Sequence, residues 1–384
     1  MFRWLTAGES HGPQLTVIID GVPAGLELSS DDLRHDLRRR QGGHGRGGRQ
    51  KIETDDALIM AGVRGGMTIG SPIALVIVNR DHQNWLSQMT PEREGFEPKA
   101  VTRLRPGHAD LAGTLKYNHS DVRNVLERAS ARETTSRVAA GGVAKKLLAH
   151  FGIRIFSFTQ SIGAVDIGYA GVDPRALSLE EIEASPVRCP SPEHSQKMVE
   201  VVDEAAERGD TLGGTFRVIA IGCPIGLGSH VHWDRKLDGR LAQAIVSINA
   251  VKGVEFGSGF DGSRQPGSQA HDQIDFTGGA FTHRSNLAGG LTGGTTNGEA
   301  IDLRAAIKPI STMKKPMQSI DLVSKETVEA HYERSDVCIV PAAGVIGEAV
   351  TALVLAEAFL EKFGGDSITE LERNVTGYLQ QLAR

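Results

Sequence analysis

Hydrophobic and polar positions along this chain alternate with two periods, one typical of strands and one typical of helices. Short apolar runs bounded by glycine or proline predict strands at residues 15–19, 58–63, 73–78, 153–165, 215–221 and 300–307. Capping residues followed by helical periods predict helices at residues 30–42, 130–148, 178–184, 194–208, 237–248 and 345–363, and after residue 367. Residues 58–63 and 73–78 should pair as a hairpin, whereas residues 80–102 and 261–284 are predicted to be polar loops. The periodicity therefore predicts mixed α and β structure.

The composition is that of an ordinary soluble globular protein, with 40% hydrophobic and 23% charged residues. A net charge of −5 argues against a general nucleic-acid-binding surface, so any basic site must be local. The three cysteines are far apart and include no C-x-x-C pair, so neither a disulfide framework nor a zinc cluster is suggested. The chain begins without room for a signal peptide, and no apolar stretch looks long enough to span a membrane. We therefore expect a cytoplasmic protein.

Positive charge is concentrated at the predicted end of the first helix. Arg38, Arg39 and Arg40 precede a glycine-rich stretch that contains Arg46 and Arg49. Cations at a helix C-terminus also complement the helix dipole, so a solvated helix end is the alternative. Glycines between arginines favour a mobile loop that closes over a phosphate or a carboxylate, since guanidinium groups suit such oxygens.

Histidines occur in two polar turns. His11 lies in the turn 8–12, between glycines that allow close approach of a ligand, and His108 precedes Asp110 by two residues. The His108 and Asp110 pair could bind a metal or transfer a proton, or it could be structural. His230 and His232 would share one face of a strand and could bind a metal together, but without a third ligand a structural role is favoured.

Further segments suggest anion binding. Ser130 and Glu133 have capping-box spacing, and Arg128 and Arg132 flank that helix start, although an ordinary capped helix would look the same. Lys308 lies near hydroxyl residues that could hold a phosphate, but the Walker pattern is absent from the sequence. Arg334 and Asp336, considered alone, would be a surface ion pair.

Taken together, these motifs resemble those of the chorismate synthase family. The resemblance rests on residues 8–13 (GESHGP) with 19–23 (IDGVP), 105–110 (RPGHAD), 127–134 (ERASARET) and 334–336 (RSD). These motifs extend over nearly the whole chain. Gln41 and Thr312 differ from the arginine and serine that are frequent in the family.

The resemblance implies the last step of the shikimate pathway. In that reaction 5-enolpyruvylshikimate 3-phosphate (EPSP) loses phosphate and a ring proton to give chorismate, and reduced FMN is required although no net redox change occurs. By this resemblance the general acids are His11 and His108, and Asp336 is the base that works with flavin N5. The implied substrate contacts are Ser10, Arg40, Arg46, Arg49, Arg105, Arg132 and Arg334. The implied FMN contacts are Arg128, Ala129, Ser130, Asn249, Ala250, Gly293, Lys308, Pro309, Ile310, Ser311, Thr312 and Arg334.

The family fold is an α+β fold, a β-α-β sandwich in which antiparallel sheets cover central helices. The resemblance implies that residues 1–384 form one such domain and that the protein is a homotetramer. Family members differ in whether they reduce FMN themselves with NAD(P)H, and we expect external reduction here. Two alternatives are a nucleic-acid or polyphosphate-binding module that uses residues 38–49, and a metal-dependent hydrolase that uses His11, His108 and Asp110, with His230 and His232 as further ligands.

Overall fold

The computed structural model describes residues 1–48, 53–169, 172–333 and 335–383. The strands, numbered in chain order, are β1 Arg3–Ala7, β2 Gln14–Asp20, β3 Leu58–Ala61, β4 Val63–Arg64, β5 Met67–Thr68, β6 Ile73–Val78, β7 Arg154–Ile162, β8 Val165–Asp166, β9 Gly214–Ile221, β10 Val251–Phe256, β11 Ile274–Thr277, β12 Ala280–His283, β13 Leu291–Thr292, β14 Thr295–Thr296, β15 Ile301–Ile307, β16 Gln318–Ile320 and β17 Thr327–Glu329.

The α-helices, numbered in the same way, are α1 Ser30–Gln41, α2 Leu86–Met89, α3 Asp110–Tyr117, α4 Arg123–Ala129, α5 Thr134–His150, α6 Leu179–Ala184, α7 Pro192–Glu207, α8 Leu237–Val246, α9 Gly259–Gly262, α10 Gly267–Ala270, α11 Val340–Phe363 and α12 Ile368–Leu382.

One antiparallel sheet has four strands in the order β1-β2-β6-β3. In β2 the residues Leu15, Val17 and Ile19 are fully buried, while Ile18 between them is 40% exposed. This alternation matches the period of two that makes one face of a strand apolar. The pairing of β3 with β6 confirms the predicted hairpin, which a short β4-β5 ribbon extends.

A second antiparallel sheet has five strands in the order β10-β15-β9-β7-β8. Strand β15 pairs along its whole length with β9, and β9 pairs in turn with β7. Both faces of this sheet are covered, since Phe216 and Val218 join the main core while Phe158 and Ile219 join a smaller apolar cluster.

Two long helices lie between the sheets. Helix α5 packs against α11 and contacts β2 of the first sheet, while α11 contacts β7 and β9 of the second. The helix backbones approach closely at Gly141, where an added Cβ would lie 2.4 Å from the Cβ of Ala349. Apolar residues of both sheets and both helices form one continuous core. The predicted sandwich with central helices is confirmed.

Helix α11 corrects two predictions. It begins at Val340, before the expected residue 345, and it has the length and apolarity of a membrane-spanning helix. However, 83% of its most apolar 18-residue window is buried inside the fold, as is typical of a core helix. The prediction that no apolar stretch is long enough to span a membrane was therefore wrong, since α11 is long enough but is buried in the core.

Three local predictions were also wrong. Ser130 caps a single 3-10 turn, Ala131–Glu133, and α5 starts only at Thr134. The Glu133 side chain pairs with Arg137 and does not close a capping box. Residues 230–232 form a bend, so His230 and His232 do not share a strand face. The polar segment before residue 284 contains the β11-β12 hairpin, which a cross-strand aromatic pair supports.

Candidate active site

A cavity of about 530 Å³ gathers chain segments that are distant in sequence. The turn after β1, the end of α1, the loop before α3 and the segment after α4 all contribute to its wall. Among the residues with predicted site roles, the cavity is lined by Ser10, His11, Arg40, Arg46, Arg105, His108, Ala129, Ser130, Arg132, Asn249, Ala250, Lys308, Ile310, Ser311, Thr312 and Asp336. The sequence motifs therefore converge on one place.

His11 is held by a carboxylate and by an aromatic ring. Its Nδ1 lies 2.8 Å from Oε1 of Glu127, and its backbone N–H donates to Oε2 of the same residue at 2.7 Å. The imidazole stacks on Trp85 with ring centroids 4.0 Å apart. The turn that carries His11 is fixed by Asn79, whose amide donates to the carbonyls of Glu9 and Gly12. Since Nδ1 contacts Glu127, Nε2 is the nitrogen available to a ligand.

His108 is arranged in the same way. Its Nδ1 contacts Oδ1 of Asp110, a carboxylate that is fully buried and also accepts from Nε and Nη2 of Arg105 at 2.8 and 2.9 Å. Burial raises the pKa of Asp110, but hydrogen bonds from Arg105 and His108 outweigh it and hold the pKa below its ordinary value. Because the carboxylate stays ionised, Nδ1 of His108 is its donor, and Nε2, which lies 3.4 Å from Nη2 of Arg105, is the nitrogen that a ligand could contact.

The turn before His108 depends on a glycine. Gly107 has φ +76°, in the left-handed region that glycine adopts without strain. Its carbonyl accepts from Nζ of Lys308 at 2.6 Å, which ties the His108 turn to the end of β15. A positive charge is thereby placed at the cavity wall.

Two buried arginines share one acid. Arg40 and Arg132 both contact Asp55, and Arg40 also donates from Nε to Thr134 at 3.0 Å. Burial lowers the pKa of Arg40 to about 10, and the positive charges of Arg132 and Arg46 act in the same direction. Arg40 therefore remains a cation at neutral pH. An anion in the cavity would relieve the mutual repulsion of these arginines.

Three buried guanidinium nitrogen atoms of the described residues have no hydrogen bond, and two of them belong to arginines that line the cavity. These two atoms are Nη2 of Arg132, which lies 3.7 Å from Oε2 of Glu53 without a hydrogen bond to it, and Nε of Arg46. A buried N–H without an acceptor costs about 1 to 3 kcal/mol, more when it is charged. These atoms therefore point to a missing acceptor, such as a ligand oxygen.

The loop after α1 is anchored to the segment that contains Asp336. Arg46 pairs with Asp336 at 3.0 Å, the Gly47 N–H donates to the same carboxylate, and Gly45 accepts from the Val337 N–H at 2.8 Å. The Asp336 side chain is 18% exposed and lines the cavity. Asp336 is therefore a half-buried acid paired across the fold, and Arg46 is one of its partners.

Three of the segments predicted to bind FMN are joined by hydrogen bonds. The side-chain amide of Asn249 donates to the Ala129 carbonyl at 3.0 Å, and the Lys308 N–H donates to the Ala250 carbonyl at 3.0 Å. Ala250 has φ +69°, which is unusual for a residue with a side chain. Such backbone strain is concentrated at ligand sites.

Some predicted site residues lie elsewhere. Arg128 donates to carbonyl oxygens of Thr6 and Gly8, and the cavity wall within the described chain includes neither Arg128 nor Gly293 nor Pro309. Their FMN roles stay predictions. Arg49 and Arg334 lie outside the described residues.

Several cavity residues had no predicted role. Trp85 lines the cavity and stacks on His11, while Glu127, which appeared in the sequence only within the motif 127–134, contacts His11 without lining the cavity itself. The acids Glu53, Asp81 and Glu333 also line the cavity. No periodicity or spacing signals which arginine such acids contact, because their partners come from other elements.

The site has the chemistry of proton transfer on a small ligand that carries several negative charges, which places the protein among enzymes rather than among binding modules. Within the described ranges, no group of three His, Cys, Asp or Glu residues could hold a metal ion.

Comparison with known proteins identifies the family. The family model for chorismate synthase matches residues 2–360. Chorismate synthases of Geobacter sulfurreducens and Carboxydothermus hydrogenoformans are both 55% identical to this chain, with 99% and 100% of each chain covered. A solved structure described as "Crystal Structure of Chorismate Synthase" superposes with a TM-score of 0.81 at 43% identity, covering 100% of this chain and 98% of its own.

The chain therefore belongs to the chorismate synthase family. Its reaction is the conversion of EPSP to chorismate at the end of the shikimate pathway, and its class is that of a lyase. The family and the function predicted from the sequence are both confirmed.

Proposed function

We propose that the cavity binds EPSP together with reduced FMN, and that its histidines and Asp336 carry the proton transfers of the elimination. The observation that carries this proposal is a cavity of about 530 Å³ lined by several arginines, two of which, Arg132 and Arg46, each have a buried guanidinium nitrogen without a hydrogen bond. A substrate with one phosphate and two carboxylates supplies acceptors for both.

The arginines would hold the substrate. Arg40, Arg105 and Arg132 are each more than nine-tenths buried and are already oriented by Asp55 or Asp110. Arginines fixed in this way lose little conformational freedom when they bind an anion. We assign Arg46 and Ser10 to the same substrate site, together with Arg49 and Arg334 from outside the described residues.

The cofactor site would be formed by the hydrogen-bonded segments around Ala129, Asn249 and Lys308. Lys308 contributes a cation, and Ser311 and Thr312 contribute hydroxyl donors at the cavity wall, so these residues fit a group that carries a phosphate. Bound reduced FMN would lend electron density to the substrate and recover it, with no net redox change.

The remaining chemistry is proton transfer by side chains. In the 1,4-elimination the electron pair of the broken ring C–H bond forms a new double bond and the existing ring double bond shifts by one position. The C–O bond to phosphate then breaks, and its electron pair leaves with the phosphate. His11 and His108 each have Nδ1 on a carboxylate, and in the doubly protonated form each can donate a proton from Nε2, one toward the departing phosphate and one toward the cofactor. Asp336, oriented by Arg46 and the Gly47 N–H, would act as the base for the ring proton.

Alanine substitution of each histidine tests this assignment. His11→Ala and His108→Ala should each lower single-turnover chorismate formation with reduced FMN by about 10²- to 10⁴-fold, the usual contribution of a positioned acid. His150→Ala is the matched control, because His150 is 38% exposed and pairs with Glu372 at the surface. A rate near that of the parent in either variant would remove that histidine from the mechanism.

The cellular setting is part of the proposal. We propose a cytoplasmic homotetramer of single-domain chains that receives FMN reduced by another enzyme. Dithionite-reduced FMN should support turnover, and NADPH with oxidised FMN should not. Turnover with NADPH alone would instead indicate an intrinsic reductase activity.

A further inference from the structure

Glu127 makes three contacts with the turn that carries His11. Its backbone carbonyl accepts from the Ser10 N–H at 3.0 Å, Oε2 accepts from the His11 N–H at 2.7 Å, and Oε1 lies 2.8 Å from Nδ1 of His11. Glu127 is 3% exposed and belongs to α4, which is separated from His11 by more than 100 residues of chain. One buried carboxylate therefore fixes both the backbone and the ring.

The two carboxylate oxygens have different partners. The His11 backbone N–H can only donate, so Oε2 is committed to it. Oε1 contacts the ring nitrogen Nδ1 of His11 and also accepts from Nη1 of Arg123 at 3.4 Å. Because a carboxylate can only accept, the Nδ1 that faces Oε1 must carry the proton, and the neutral ring then has its lone pair on Nε2.

Trp85 fixes the plane of the ring. One contact of Trp85 is the stacked imidazole, with an interplanar angle of 30°, and another is Arg123, whose guanidinium carbon lies 5.0 Å from the ring centroid. Arg123 in turn pairs with Glu333 at 2.8 Å. The imidazole is thus held both along the Nδ1 direction and perpendicular to its face.

From this geometry we infer that Glu127 is the positioning residue for His11: it selects the Nδ1–H tautomer and keeps Nε2 toward the cavity. The inference deepens the proposed function and relies on it for the effect on turnover. Glu127 also stabilises the doubly protonated imidazolium, the form that can give a proton from Nε2 and keep one on Nδ1.

Glu127→Gln separates this role from a merely structural one. The amide oxygen can satisfy the His11 backbone N–H, which leaves the NH₂ group facing Nδ1. An amide NH₂ can only donate, so the neutral ring must accept at Nδ1 and carry its proton on Nε2. The substitution should therefore invert the tautomer while the turn stays in place.

The first measurement is ¹⁵N NMR of histidine-labelled protein, recorded without ligands at a pH where the imidazole is neutral. The His11 signal is assigned by its loss in His11→Ala. We expect Nδ1–H in the parent and in Glu127→Asp, and Nε2–H in Glu127→Gln. An Nδ1–H tautomer that persists in Glu127→Gln would overturn the inference, whatever the role of His11 in the reaction.

The second measurement is turnover with reduced FMN and EPSP. In a Ser-His-Asp triad the same acid-to-amide change lowers kcat about 10⁴-fold by leaving the wrong tautomer. Here we expect kcat to fall by about 10²- to 10⁴-fold with KM changed only a few-fold, and Glu127→Asp to recover part of the loss. Glu133→Gln is the matched control, since Glu133 is 8% exposed and pairs with Arg137.

A double variant tests whether the effect passes through His11. If Glu127 acts on that imidazole, Glu127→Gln should slow His11→Ala little further, because the two losses are not additive. An equal loss in both backgrounds would overturn the inference. If His11→Ala itself keeps full turnover, the proposed function of His11 fails, and the NMR result alone decides the positioning role.

Discussion

Replacing Glu348 by glutamine should destabilise the protein by several kcal/mol, because this acid is the centre of a buried charge network between three helices and a sheet. Glu348 is fully buried in α11. Its carboxylate accepts from Arg39 at 2.7 and 2.8 Å, from Lys145 at 2.8 Å, from Ser157 at 2.6 Å and from Arg188 at 3.3 Å. An amide has one acceptor oxygen and no charge, so it leaves buried cations without compensation.

The magnitude follows from the charges and hydrogen bonds that favour the ionised form of Glu348. Burial raises the pKa of Glu348, but the charges of Arg39 and Lys145 and the hydrogen bond from Arg39 outweigh it and lower the pKa from 4.5 to about 2. A difference of about 2.5 pH units corresponds to about 3 kcal/mol of preference for the carboxylate in the folded state. Removing one partner of a buried ion pair typically costs about 3 to 5 kcal/mol, in agreement.

The assay is urea denaturation of parent and Glu348→Gln at one protein concentration, repeated between pH 7 and pH 3. Because the folded-state pKa lies below the unfolded one, the stability from Glu348 is complete above about pH 4.5 and is lost as the pH falls toward 2. The difference between parent and variant should therefore be about 3 kcal/mol at pH 7 and shrink in acid.

The matched control is Glu361→Gln on the same helix. Glu361 is 47% exposed and pairs with Arg240 at 2.9 Å, so its loss should shift the urea midpoint only slightly. If Glu348→Gln destabilises the protein by less than about 1 kcal/mol, or by no more than the control does, the network around Glu348 contributes little to stability. If the stability difference between parent and Glu348→Gln does not shrink in acid, the lowered pKa of Glu348 is not the source of that difference.

Two further predictions concern the candidate site. Asp336→Asn should lower turnover by about 10²-fold or more with FMN binding nearly unchanged, and should enlarge the isotope effect of deuterium at substrate C6, because the amide cannot accept a proton. If Asp336→Asn turns over like the parent with saturating reduced FMN, Asp336 is not the base and acts only as an ion-pair partner. FMN and EPSP together should slow amide exchange across residues 43–48, since closure excludes water. The N–H groups of His44 and Gly47 already donate hydrogen bonds without ligand, so their exchange should already be slow, and unchanged exchange at Arg46 would exclude closure.

The sequence alone determined the type of most elements. Strand β2 was predicted from apolar residues that alternate with a period of two, and α1 from a helical period that follows capping residues. Both patterns involve only residues that are close in sequence. Ser29 does cap α1, and its capping box with Asp32 is present. The histidine and arginine motifs were also recognisable, because their residue types and spacing are local.

Partners of the charged residues were decided only by the tertiary structure. Three consecutive arginines have three different environments: Arg38 is exposed, Arg39 enters the network of Glu348, and Arg40 lies in the cavity. A helix turns about 100° per residue, so neighbours face different surroundings. The sequence pattern does not predict which surroundings each of the three arginines has.

The same limit explains why Glu127 had no predicted role. Its imidazole partner is 116 residues away in sequence, and the Arg39 and Glu348 pair is separated by 309 residues. Hydrophobic periods and helix caps depend on residues that are close in sequence, so they can be recognised from the sequence alone. The partner of a buried charge is set by how helices and sheets pack, and the physical reason is that only the folded chain brings such distant groups within hydrogen-bond distance.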